Sequence, residues 1–258
     1  MKKLLMQTMA LTALLGGGAS IGAWADGSGA PAPANGGPFP APELVKNPSD
    51  EIFAPPGFDD NDNVQVVLQS QLINTCYKVA QPEVNVDRAN HLITVASQAY
   101  VYESSWCLQV LIPVTQTVDL GILPAGHYRV VEYNTVGRLV HDVSLPVEVS
   151  ITATADDFLY APVKNAKINL GAAGSPKTLV LSGTFSSDCM EMQEVKLLHR
   201  IPNVIEVLPV AAYKTGTTCK PNPKPFEVSV TLPSVEPGET LVYVRSLNGQ
   251  SISEVVPF

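Results

Sequence analysis

The densest cluster of oxygen-bearing side chains in the sequence is Asp59, Asp60, Asn61, Asp62 and Asn63. Such a run suits calcium, which takes about six to eight oxygen ligands. A polar turn entering a strand is the alternative, because Asp and Asn bond their own backbone there. A second cluster, Tyr100, Tyr102 and Trp106, stands just ahead of Cys107. In an extended chain the two tyrosines share a face. Exposed, the three rings would stack on a sugar or anchor a protein partner; buried, they would cover a disulfide. Cys76, Cys107, Cys189 and Cys219 are isolated, with neither a C-x-x-C pair nor His at ligand spacing, so they read as disulfides rather than a metal site. Oxidised in pairs, they leave no thiol nucleophile. The histidines His91, His127, His141 and His199 are scattered, and no H-E-x-x-H, G-x-S-x-G or glycine-rich phosphate loop occurs. His141 and Asp142 are neighbours, but adjacent strand residues point to opposite faces. The expectation is a non-enzymatic protein.

The chain that carries these residues opens with Lys2 and Lys3, an apolar stretch over 4–21 and Ala23-Trp24-Ala25, the pattern of an export signal cleaved after Ala25. Gly16, Gly17 and Gly18 weaken the competing membrane-span reading, so no transmembrane segment is expected in the mature chain. The expected location is periplasmic or extracellular, where cysteines oxidise. Without Lys2 and Lys3, 14 basic residues face 24 acidic ones, a net charge of −10. That argues against nucleic acid, whose binders need a basic footprint. Residues 26–52 repeat Pro and Gly with few apolar positions and read as an extended spacer.

Beyond the spacer, apolar runs of period two dominate, at 64–72, 91–97, 108–114, 116–120, 128–133, 177–185, 204–210, 226–232, 241–246 and 252–256. Sliding the halves past each other by 112 to 113 residues superposes Cys76 on Cys189 and Cys107 on Cys219. The same offset sets Val66 and Leu68 over Leu179 and Leu181, Gly126 over Gly238, and Gly137 over Gly249. The fold expected is all-β, two tandem sandwich domains at 53–149 and 158–258 related by an internal repeat. Of the three ways to pair four Cys, the repeat selects Cys76–Cys107 and Cys189–Cys219. Each bond should add about 3 kcal/mol or more. The aromatics have Ala212, Lys214 and Thr218 opposite them in the second half, so the shared fold does not need them.

In size and strand count the domains resemble immunoglobulin-like sandwiches, with a Cys spacing shorter than the inter-sheet bridge of antibody domains. The segments GFDDNDNVQVVL before a Cys, an aromatic before the second Cys, and LGILPAGHYRV after it resemble those of uncharacterised secreted bacterial proteins with Cys-framed immunoglobulin-like domains. That resemblance implies no particular activity. The acidic run resembles the D-x-N-D-N linker of cadherins, without their other acidic motifs. The function expected is an exported binding, adhesion or structural protein of the cell envelope with a protein or glycan partner. The alternatives are a periplasmic chaperone, and an enzyme inhibitor using an exposed loop such as 220–225, KPNPKP.

Overall fold

Alternation of apolar residues between Gly, Pro, Asn and Asp breakers builds strands along the whole of the described chain, because each such run can bury one face and leave the other to solvent. The computed structural model describes residues 40–258 apart from 104–105, 172–174 and 217. The expected export signal at 1–25, and the expected spacer as far as residue 39, lie outside the described residues.

In the N-terminal half, β2 (Glu51–Phe53), β4 (Val64–Leu72) and β9 (Ile112–Gly121) form one sheet in the order β2-β4-β9. Facing it is a sheet of β3 (Phe58–Asp59), β11 (Leu139–Glu148), β10 (Gly126–Tyr133), β7 (Leu92–Ala96) and β6 (Glu83–Asp87), in that order. A small third sheet sets β8 (Gln98–Val101) between β1 (Glu43–Lys46) and β5 (Tyr77–Val79). In the C-terminal half, β12 (Val163–Asn169), β13 (Thr178–Phe185) and β16 (Lys224–Thr231) form one sheet. The other runs β14 (Met190–Ile201), β15 (Val204–Tyr213), β17 (Glu239–Ser246), β18 (Gln250–Pro257). Pairings recur at the spacing the sequence offset gives. Val66 lies opposite Val118 and Leu68 opposite Gln116, while Leu179 lies opposite Val230 and Leu181 opposite Val228. Likewise Ile93 pairs in parallel with Val130, and Ile205 with Val242.

Two buried clusters hold the sheets together. The first gathers Phe53, Val66, Leu68, Ile93, Tyr128, Val130 and Leu145, and it also takes in Val204, Leu241 and Tyr243 from the C-terminal half. The second gathers Leu179, Leu181 and Phe185 with Ile205, Val207, Val242 and Val244. Because side chains alternate, β15 and β17 give one face to each cluster, and Val204 through Val210 and Thr240 through Ser246 are buried without a break. The C-terminal sheet is therefore the middle layer, with a core on either side.

Three features depart from the expectations. Pairing starts before residue 53: β1 lies within the expected spacer and β2 straddles its end, Leu44 and Val45 are opposite Tyr100 and Ala99, and Ile52 and Phe53 are buried. Three- and four-residue strands are too short to show a period, and only the neighbouring strand completes them. The expected strand at 108–114 begins at Ile112, so Leu108, Val110 and Leu111 are exposed outside the sheet. β6, β11, β12 and β14 were not among the expected strands, and in β14 a register shift between Met192 and Glu194 breaks the alternation.

Candidate functional site

The Tyr100, Tyr102 and Trp106 cluster is carried by β8 and the chain that follows it. Tyr100 pairs with Leu44 on one side and Lys78 on the other, and all three are exposed, so this face of the small sheet is open. The Tyr102 amide donates to Cys76 O at 3.0 Å, keeping the chain extended past the end of β8. Trp106 is 89% exposed, and Leu108 and Leu111 beside it are 72% and 63% exposed. Backbone bonds and one covalent bond fix this apolar stretch. Cys107 is bonded to Cys76 with their Cα atoms 5.4 Å apart, the Thr75 amide donates to Leu108 O at 3.2 Å, and the Leu108 amide donates to Thr75 Oγ1 at 3.0 Å. Ile73, also exposed, extends the patch at the end of β4. Apolar side chains held outward on a tied backbone lose little conformational freedom when covered, and each large one fully buried contributes about 1.5–3 kcal/mol.

The C-terminal half uses the same ties for different side chains. Cys189 and Cys219 are bonded with Cα atoms 5.2 Å apart, the Asp188 amide donates to Lys220 O at 3.4 Å, and the Lys220 amide donates to Asp188 Oδ1 at 3.0 Å. What this loop exposes is Lys220, Pro221, Asn222, Pro223 and Lys224, polar and basic where the first loop is apolar.

The acidic run bonds the chain's own groups. Asp59 accepts from the Asn61 amide at 3.1 Å, Asp60 accepts from the Ser150 amide at 2.9 Å, and Asn61 Nδ2 donates to Thr152 O at 3.0 Å. The hydrogen bonds from Ser150 hold the Asp60 carboxyl below the usual carboxylate range. Asn63 Nδ2 donates to Asp119 at 2.8 Å, and Asp62 takes Arg245 Nη1 at 3.0 Å. The run thus ties the start of β4 to the join between the halves and to β17. Among the described residues no group of three or more His, Cys, Asp or Glu side chains converges where a metal ion could sit.

Sequence reasoning missed Arg245 and its neighbours. Arg245 is buried, donates to Gly57 O as well as to Asp62, and lies 4.6 Å over the Phe58 ring. On the same face of β17, Tyr243 donates its hydroxyl to Gln65 Oε1, and burial raises its pKa. Burial likewise pushes the Tyr160 hydroxyl up to about 12. The histidines do not gather: His141 Nε2 is 2.8 Å from Ser49 O, His199 Nε2 is 2.9 Å from Pro202 O, and the His91 ring packs 4.7 Å from that of Tyr128.

Fold and site together define an all-β, disulfide-bonded protein with β-sandwich character. Residues 66–137 match the family model described as the ORF11 beta-sandwich domain, a stretch running from within β4 past β10 and containing the Cys76–Cys107 bond and the Trp106 loop. Neither a curated protein nor a solved structure matches the chain. No helix among the described residues is long and apolar enough to cross a membrane.

Proposed function

We propose that this chain is an exported, non-enzymatic binding protein made of two copies of one immunoglobulin-like, disulfide-framed sandwich, and that the N-terminal copy docks a protein partner through the Trp106 loop. Support for two copies comes from the coincidence of strand pairing, disulfide placement and loop ties at one sequence offset. Two disulfides suit an oxidising compartment outside the cytoplasm. The observation that carries the docking reading is the exposure of Trp106, 89%, on a backbone held by Cys76–Cys107 and Thr75. A protein fits this loop better than a glycan, because the exposed side chains beside the aromatics are mostly apolar, Leu108, Val110, Leu111 and Ile73, with Glu103 and Gln109 among them.

The test is an affinity capture of envelope and secreted proteins on the purified chain, run in parallel with Trp106→Ala and with Leu108→Ser. The expected result is a protein retained by the unaltered chain and lost by both variants. Since these side chains are exposed, both variants should unfold within about 0.5 kcal/mol of the parent. Identical retention by all three chains would refute the docking role.

A further inference from the structure

A cleft of about 560 Å³ opens where the join between the halves passes the turn from β17 to β18. Asn61 comes to it from the acidic run, Asp156, Asp157 and Phe158 from the join, and Leu247 and Asn248 from the turn. We propose that this cleft binds a neutral saccharide, a site separate from the Trp106 loop, with which it shares no lining residue.

Size and chemistry both point this way. The volume falls within the ~300–1,000 Å³ of small-ligand sites. No Lys or Arg lines the cleft, and the Asp156 and Asp157 carboxylates that do line it disfavour an anionic ligand. Carboxylates accept two or more hydrogen bonds, and amides both donate and accept, which is the complement that adjacent ring hydroxyls need. The Phe158 ring and the Leu247 side chain supply an apolar surface for the C–H face of a sugar ring. Lys196 Nζ sits 4.2 Å from the Phe158 centroid and Tyr160 packs 6.1 Å from it, which fixes the ring's orientation.

The polar groups are likewise placed in advance. Asp156 Oδ2 accepts from the Asn248 amide at 3.1 Å, and this bond holds the turn in which Asn248 takes a left-handed conformation, φ 63°. Asn61 is held in place by its Nδ2, which donates to Thr152 O at 3.0 Å.

The experiment is saturation-transfer NMR on the full chain with neutral sugars at millimolar concentration: glucose, galactose, mannose, N-acetylglucosamine, lactose, maltose and cellobiose. Transfer to at least one of them is expected. Its affinity should fall about tenfold in Asp157→Asn, an exposed side chain, and in Asn248→Gly, which keeps the left-handed turn and its backbone N–H but removes the side-chain carboxamide. Equal melting temperatures of parent and variants serve as the folding control. The proposal is overturned if no sugar receives transfer, or if neither variant alters it. Loss of transfer in Trp106→Ala alone would overturn it too, placing the sugar on the other loop while leaving open the test of protein docking by capture. Stabilisation by calcium with no sugar transfer would also refute it.

Discussion

Arg245 puts a guanidinium against three groups of the segment that leads into β4: the Asp62 carboxylate, the Gly57 carbonyl and the Phe58 ring. With 8% and 7% of their side chains exposed, Arg245 and Asp62 form a buried ion pair. Removing one partner strands the other charge, so Arg245→Ala should lower stability by about 3–5 kcal/mol, whereas Arg245→Met combined with Asp62→Leu should recover most of that loss. Urea unfolding of the three proteins measures it. Glu206 offers a pH test. Burial raises its carboxyl above the ordinary 4.5, with Arg200 and Arg245 acting in the opposite direction. The folded chain therefore holds this proton more tightly than the unfolded chain does. Glu206 contributes stability that is complete below the unfolded value and is lost as pH rises through the raised one. Glu206→Gln should flatten that decline, seen by following the melting temperatures of parent and variant from about pH 4 to 8. Neither residue was singled out in the sequence, because a single charged side chain within or at the end of an apolar run names no partner for its charge. The aromatic cluster was legible as a residue type, but its exposure was not.

At the scale of elements, the two disulfide loops share a scaffold and differ in cargo. Closing loops with sequence separations of 31 and 30 should contribute about 3–4 kcal/mol each through the unfolded chain. Replacing both Cys of either pair by Ser should therefore lower stability to a similar degree. Only the Cys76→Ser, Cys107→Ser chain should also lose partner binding, because only that bond fixes Trp106. Calorimetry together with the capture assay separates the two effects. The pairing of the cysteines was legible because both pairs fall at one offset. The loop itself was hidden: Leu108 to Ile112 is apolar enough to read as a strand, and the hydrogen bonds to the Thr75 amide and hydroxyl hold Leu108 outside the sheet. β14 was hidden for the opposite reason, its period broken by the shift at Met192.

Across the whole molecule, the central strands of the C-terminal sheet, β15 and β17, are buried on both sides, and the face they turn to the N-terminal half completes its core through Val204, Leu241 and Tyr243. Residues 40–258 should accordingly unfold in one cooperative transition. Residues 40–149 and 158–258 expressed separately should each lose stability or aggregate, because separation bares this face. Two resolved calorimetric transitions, or two stable fragments, would contradict the shared core. Near-continuous apolar runs such as VIEVLPV and TLVYV carry the mark of strands covered on both faces, yet a run of that kind does not say what covers it. The sequence by itself determined the all-β class, through alternation and breaker residues, and it determined the pairing of the cysteines through their common offset. Both are local or periodic properties written along the chain. The tertiary structure alone decided which side chains remain in water at the Trp106 loop, that the acidic run bonds Arg245 and the join, and that the halves share a core. Those outcomes depend on contacts between residues as far apart as Asp62 and Arg245, whose partners no local pattern specifies.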